Sequence, residues 1–253
     1  MPRTFEEYCD AYEHARMRRS DGVLELELHS GGDSLVWGDA PHTELGYCFA
    51  DIAADSENRA VIVSGVGEAF CQRLDDSWVG GMTPDKWEKI FSHGQRLLVN
   101  LLNIEVPVIG IVNGPARVHA ELVLLSDIVI GTPTAVLQDA PHFKYGTVPG
   151  DGAHIVWQEL LGLNRARSFL LLADKISADD AARFGIYHTV AADVDEAWVL
   201  ARRHGQMIAS KPRTAVRYSR WALTQRIRAQ MHAGLGPGLA VEGLGAFESW
   251  PGA

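Results

Sequence analysis

Pro107-Val108-Ile109-Gly110-Ile111-Val112-Asn113-Gly114 is a β-branched apolar run that stops on a turn pair, and its reading sets the fold class. A short run of this kind without polar alternation reads as a strand more deeply buried than one facing water on one side. Arg59 to Ser64 has the same character. Upstream, Gly22-Val23-Leu24-Glu25-Leu26-Glu27-Leu28-His29 alternates strictly, the period-2 mark of a half-buried strand. Ile128-Val129-Ile130 and Ala135-Val136-Leu137 read as two further strands.

Helical patterns fill the intervals. Asp39 to Ala54 carries apolar residues at helical spacing. Thr83-Pro84-Asp85 supplies an N-cap, a first-turn proline and an acid, and Trp87, Ile90, Phe91, Leu97, Leu98, Leu101 and Leu102 continue one apolar face. Beyond residue 150 strands almost vanish. Asn164 and Ser177 read as N-caps and Gly185 as a C-cap. Longer helices are expected over Asp193–Ser210 and Pro212–Ala233, with Gly234 to Gly238 breaking the pattern before a short helix carrying Glu242. The fold class is α/β, and no linker or repeat divides the chain, so residues 1–253 form a single domain.

The net charge of −9 argues against nucleic-acid or anionic-membrane partners, which need a basic surface. Arg213, Arg217, Arg220, Arg226 and Arg228 are spaced as one solvated helix face. Cys9, Cys48 and Cys71 are odd in number and outside any CxxC pair, which makes a disulfide framework unexpected and a reducing cytoplasm the default. No apolar signal core opens the chain and no window reaches bilayer-spanning length.

Chemistry concentrates in Pro141-His142-Phe143-Lys144-Tyr145-Gly146-Thr147-Val148-Pro149-Gly150-Asp151-Gly152. The turn sequences Ala140-Pro141 and Pro149-Gly150 bring an imidazole and a carboxylate near each other. A carboxylate that holds one ring nitrogen leaves the other free to take a proton from water. The competing reading is a loop histidine beside a turn aspartate. His119, Glu121, His142, Asp151 and His154 match no standard zinc spacing, and no metal is expected.

The order of Gly67-Glu68-Ala69-Phe70-Cys71, Pro107 to Gly114, Ser126-Asp127-Ile128-Val129-Ile130 and Gly146-Thr147-Val148-Pro149-Gly150 resembles the crotonase (enoyl-CoA hydratase/isomerase) superfamily. That resemblance implies a spiral of ββα units over about residues 1–190, a helical C-terminal trimerisation region over about 191–253, and trimers or dimers of trimers. It usually implies a thioester substrate and an oxyanion hole of two backbone N–H groups, one of them in a glycine run after Asn-Gly. Here Gln72-Arg73-Leu74-Asp75 follows Cys71, and Pro115-Ala116-Arg117-Val118-His119-Ala120-Glu121 follows Gly114 without a glycine, which removes the unhindered backbone approach to a ligand. His142 stands where the hydratases carry a glutamate.

A narrower resemblance, to the β-diketone hydrolase branch of the 6-oxocamphor hydrolase type, accounts for these departures. It rests on Ser34-Leu35-Val36-Trp37 with His42, Asn113-Gly114-Pro115 with His119, Gln138-Asp139-Ala140-Pro141-His142-Phe143, Val148 to His154, and Glu242. It implies retro-Claisen hydrolysis: water adds to one carbonyl of a cyclic 1,3-diketone and the bond to the central carbon breaks, with neither metal nor coenzyme A. His142 would be the base with Asp151 its orienter. His119 would donate to the oxyanion and Trp37 to the distal carbonyl, while Glu242 would orient Trp37 or that carbonyl through a water and His42 would support. Against these stand bland roles: a loop histidine for His119, a core tryptophan for Trp37, a helix-surface acid for Glu242, a cap for His42, and packing for His154. Rival functions are a CoA-dependent hydratase, isomerase or thioesterase and a catalytically silent trimeric binding protein. Ring size, substituents and product enantiomer lie beyond these residues, with Phe143, Tyr145, Trp78 and Phe247 the positions most apt to set them.

Overall fold

The computed structural model of the chain describes residues 2–76, 78 and 80–250. Its first half runs α1 (Phe5–Tyr8), β1 (Ala15–Ser20), β2 (Val23–Leu28), β3 (Leu35–Trp37), α2 (Asp39–Ala54), β4 (Ala60–Gly65), β5 (Cys71–Leu74) and α3 (Pro84–Asn103). Next come β6 (Val108–Val112), α4 (Glu121–Leu124), β7 (Ile128–Gly131), β8 (Val136–Leu137), α5 (Ala153–Leu161) and α6 (Leu163–Leu172). The chain closes with β9 (Ile176–Ser177), α7 (Ala178–Arg183), β10 (Thr189–Val190), α8 (Val194–Ala209) and α9 (Arg213–Ser249).

The main sheet has the order β1-β2-β4-β6-β7-β10. Only the β1–β2 hairpin is antiparallel; the remaining neighbours pair in parallel. β4 and β6 are buried at every position, as strands covered on both faces are, whereas the glutamates of the alternating β2 are only partly buried. A smaller layer pairs β3 with β5 and β8 with β9, and single bridges from Ala116 to Cys71 and to Leu137 join the two pairs. Each turn of the chain therefore gives one strand to the large sheet, one short segment to the small layer, and then a helix. Successive turns stack the residues just past the small-layer segments: Trp37, Leu74, His119 and Ala140 come to one end of the molecule. This is the spiral of ββα units that the sequence resemblance implies.

Thr83 caps α3 by accepting from the Lys86 amide, with Pro84 in the first turn, as its sequence requires. Three expectations need correction. The N-cap of α6 is Gly162, and Asn164 lies inside the first turn. The glycine-rich stretch at 234–238 does not end a helix, because α9 runs unbroken for 37 residues. Gly238 and Gly150 meet so closely that a Cβ on either would lie 2.1–2.3 Å from the other's carbonyl oxygen, so the glycines serve close packing. Pro237 and Ala233 are both exposed, which lets water take the carbonyl that the proline cannot bond. Finally, the arginines of α9 are not one solvated face. Arg220 is buried, its Nε donating to Asp127 at 2.7 Å and its Nη1 to the carbonyls of Leu102 and Ile104 at the end of α3. A buried guanidinium is tolerated there because a carboxylate takes its Nε and orphan helix-end carbonyls take its Nη1. Among the described residues no helix is long and apolar enough to cross a membrane.

Candidate active site

His142 follows the small-layer strand β8 and opens a 3₁₀ turn, Phe143–Tyr145, whose Tyr145 amide bonds back to the His142 carbonyl. Gly146 at φ +82° then turns the chain so that the Thr147 amide reaches the same carbonyl, which fixes the loop to its histidine. The ring is buried. Its Nδ1 lies 2.6 Å from Asp139, three residues earlier, and its Nε2 lies 3.4 Å from Asp151 and 3.6 Å from Glu242. Asp151 was expected to orient the imidazole; Asp139 does so instead, and Asp151 faces the opposite nitrogen. The signal was present as an Asp-x-x-His spacing, which a turn of this type folds onto itself.

Asp151 sits just before α5, where its Oδ1 accepts from the Ala153 amide at 3.3 Å, a place that favours a carboxylate. Its Oδ2 lies between two histidines, 3.4 Å from His142 Nε2 and 3.5 Å from His119 Nδ1. His119 is held at 2.5 Å by Glu121 and adopts φ +46°, so the loop keeps a glycine-like backbone while presenting an imidazole. Glu242 reaches this cluster from α9 because Gly150 lets the helix approach: a Cβ there would lie 2.8 Å from that of Glu242.

Trp37 is fully buried with its ring centroid 3.9 Å from that of His119, and its indole Nε1 has no hydrogen-bond partner among the described residues. It forms the floor beneath His119, combining a core position with a spare donor. His42 is buried between Trp37 and Trp78, with centroids at 5.7 and 5.0 Å, and does not cap its helix. His154 lies 3.0 Å from the Pro149 carbonyl and packs against Gly238, as a packing residue does.

Charge is distributed unevenly across these groups. Burial alone would lower the His142 pKa, but Asp139 and Asp151 outweigh it and hold it well above the ordinary histidine value. Burial opposes ionisation of Asp151, yet His142 and His119 keep it below the usual carboxylate range. Glu242 moves the other way: burial, aided by repulsion from Asp151, raises it to about 7. His119 is lowered by burial but raised on balance by Glu121 and Asp151. His42, buried and facing His119 and His93, falls to about 3 and is neutral. Two sets among the described residues, His119–Glu121–Asp151 and His142–Asp151–Glu242, have ligand atoms within 4.8 Å of one another and could share a cation. Imidazole and carboxylate already face each other in both.

The cluster lines a chamber of about 30 Å³, enough for about two waters. Next to it, sharing Leu74, Pro141 and Trp250, opens a cavity of about 590 Å³ that includes Gly80, Arg117 and Tyr145. Trp78 lines the small chamber, while Phe143 and Phe247 are largely exposed.

A spiral of ββα units with its polar residues gathered where the turns end is the crotonase architecture. The enoyl-CoA hydratase/isomerase family model matches residues 20–237, and the chain belongs to that family, one of enzymes. Among solved structures it is similar to a β-diketone hydrolase from the cyanobacterium Anabaena sp. PCC 7120 bound to (S)-3-oxocyclohexyl acetic acid. That match is 39% identical with a TM-score of 0.93, covering 96% of this chain and 97% of that one. Similarity to an enoyl-CoA hydratase/isomerase from Mycobacterium paratuberculosis is 27% with a TM-score of 0.85, covering 92% and 94%. Among curated relatives, 1,2-epoxyphenylacetyl-CoA isomerase of Escherichia coli (strain K12) is 31% identical over 72% of each chain. Short-chain-enoyl-CoA hydratase of Clostridium acetobutylicum is 29% identical over 76% of this chain and 74% of the relative.

Proposed function

We propose that this chain hydrolyses a carbon–carbon bond of a cyclic or bicyclic β-diketone, with His142 and Asp151 activating water and with neither metal nor coenzyme A taking part. The observation that carries the reading is the anchored imidazole: Nδ1 fixed by Asp139, Nε2 turned toward Asp151 and Glu242, in a chamber of water size beside a larger cavity. The diketone ring occupies the larger cavity and presents one carbonyl to the chamber. In its neutral form, which its raised pKa makes the minor one at neutral pH, His142 takes a proton from water, whose oxygen adds to the carbonyl carbon, and His119 donates to the resulting oxyanion. The bond to the central carbon then breaks. Its electron pair becomes an enolate, whose oxygen accepts from protonated Glu242 or from the unpartnered Trp37 N–H, and His142 returns the proton to carbon. Diketone and water thus give one keto acid.

The Anabaena relative's bound acid supports this reading. A cyclohexanone with an acetic acid arm at its third carbon is what hydrolysis of bicyclo[2.2.2]octane-2,6-dione leaves, so that symmetric diketone is the first substrate to assay. Its cleavage is followed by loss of carbonyl absorbance in a panel with mono- and bicyclic 1,3-diketones, without coenzyme A and with and without a chelator. Undiminished cleavage by His142→Ala or Asp151→Asn would sink the mechanism. CoA-thioester hydration or isomerisation is the second reading, favoured by the names of the curated relatives. Tight binding of an acyl-CoA in calorimetry, with no diketone turnover, would establish it.

The proposal extends to assembly and location. Tyr218, Trp221, Leu223 and Leu244 are large exposed apolar side chains on α9, which suits a homotrimer or a dimer of trimers; light scattering giving a monomer mass would exclude both. Free thiols at Cys9, Cys48 and Cys71 suit the cytoplasm.

A further inference from the structure

The larger cavity contains a cation that the proposed chemistry does not use. Arg117 lines it, half-buried, beside the apolar Leu74, Val118, Ala140, Pro141 and Trp250. Its Nε donates to Gln138 Oε1 at 2.7 Å, and Gln138 is buried and donates in turn to the Ala173 carbonyl at 2.7 Å. Its backbone is clamped as well, the amide bonding to Cys71 O and the carbonyl receiving the Ala140 amide, two residues before His142. The guanidinium is therefore held by one edge. No acidic side chain among the described residues forms an ion pair with it. A fixed planar fork of donors in a largely apolar cavity suits a carboxylate, which it can bind in bidentate fashion.

Turnover supplies such a group. Hydrolysis turns a neutral diketone into an acid, and the new carboxylate forms in the chamber beside Asp151, which is held ionised and repels it. The acid is no longer part of the ring and swings on its methylene. We infer that Arg117 is a carboxylate subsite that receives the keto-acid product from the catalytic chamber; this inference rests on the diketone-hydrolase reading. Gln138 is the residue that positions it.

The test is calorimetric titration of the intact protein with 3-oxocyclohexyl acetate, its uncharged methyl ester, and coenzyme A, using wild type, Arg117→Lys and Arg117→Met. Wild type should bind the acid about tenfold more tightly than the ester, Arg117→Lys should keep part of that preference, and Arg117→Met should abolish it while binding the ester unchanged. In wild type alone, added salt should weaken the acid and leave the ester unaffected. Equal binding of acid and ester by wild type, or a parallel loss of both in Arg117→Met, would overturn the subsite. So would coenzyme A binding that depends on Arg117, since the cation would then serve a phosphate. If wild type leaves the diketone intact yet binds the acid through Arg117, the hydrolase reading fails while the anion site stands. Turnover with Arg117-independent acid binding removes the subsite alone.

Discussion

Replacing Asp139 by asparagine tests the orientation of the catalytic imidazole. The 2.6 Å contact between Asp139 and His142 Nδ1 is buried on both sides. Two opposite charges about 4 Å apart attract by about 4 kcal/mol at an effective dielectric of 20, which is a ceiling. A charge-assisted hydrogen bond measured by mutation contributes about 1.5–3 kcal/mol. If His142 gains its proton in the transition state, losing that stabilisation lowers kcat/KM by roughly 10- to 150-fold. The sign of the pH effect follows from the same contact. Asp139 raises the His142 pKa, so the variant's imidazole is neutral at lower pH than the wild type's. The wild-type advantage should therefore be greatest at alkaline pH, where both imidazoles are neutral, and shrink toward parity as the solution is acidified. Kinetics across pH, with NMR titration of the His142 ring in both proteins, reads both effects. Stability moves in step. A histidine whose folded pKa is raised stabilises the fold fully below its unfolded value near 6.5 and loses that contribution as pH rises through the folded value, so the variant should lose more stability at pH 6 than at alkaline pH. A rate ratio below threefold, or one constant across pH with an unmoved His142 titration, would refute the assignment.

Glu242→Gln keeps a donor but cannot ionise, so it should remove the break that ionisation of Glu242 at about pH 7 is expected to put into the pH–rate profile; an unchanged break would assign it to another group. His119→Ala should lower kcat by roughly 100- to 1,000-fold with little change in KM, as loss of an oxyanion donor does; a pure KM effect would make His119 a binding residue. Gly150→Ala drives a Cβ into the Gly238 carbonyl and should cost at least about 1–3 kcal/mol in chemical denaturation, with activity falling alongside. Unaltered stability there would mean that α9 does not seat against the catalytic loop as described.

Much of the fold was legible because strands buried on both faces and amphipathic helices print their periods in the chain. β2, β4, β6 and α3 could be read in this way. Of the small layer only β8 was legible, within Ala135-Val136-Leu137: β3 and β5 are three and four residues long, too short for a pattern, and Ala116 takes part through single bridges. α9 was misread because glycines and a proline break helices locally, whereas here packing against Gly150 and His154 overrides propensity. In the site, the chemistry of His142 and Asp151 was visible but their geometry was not. The position of Asp151 between two histidines depends on the approach of α9 and α5, a tertiary fact, and Asp139 was hidden as one acid in a turn. Arg220 was placed on a solvated face because spacing alone cannot show that Asp127 and the end of α3 lie beneath it.

The most direct measurement is hydrolysis of bicyclo[2.2.2]octane-2,6-dione in ¹⁸O-enriched water, without coenzyme A, with mass spectrometry of the product. Carbon–carbon hydrolysis predicts 3-oxocyclohexyl acetic acid labelled in its carboxyl group, formed by the wild type and at least about 100-fold more slowly by His142→Ala. Intact diketone after prolonged incubation, with the same preparation hydrating an enoyl-CoA, would contradict it.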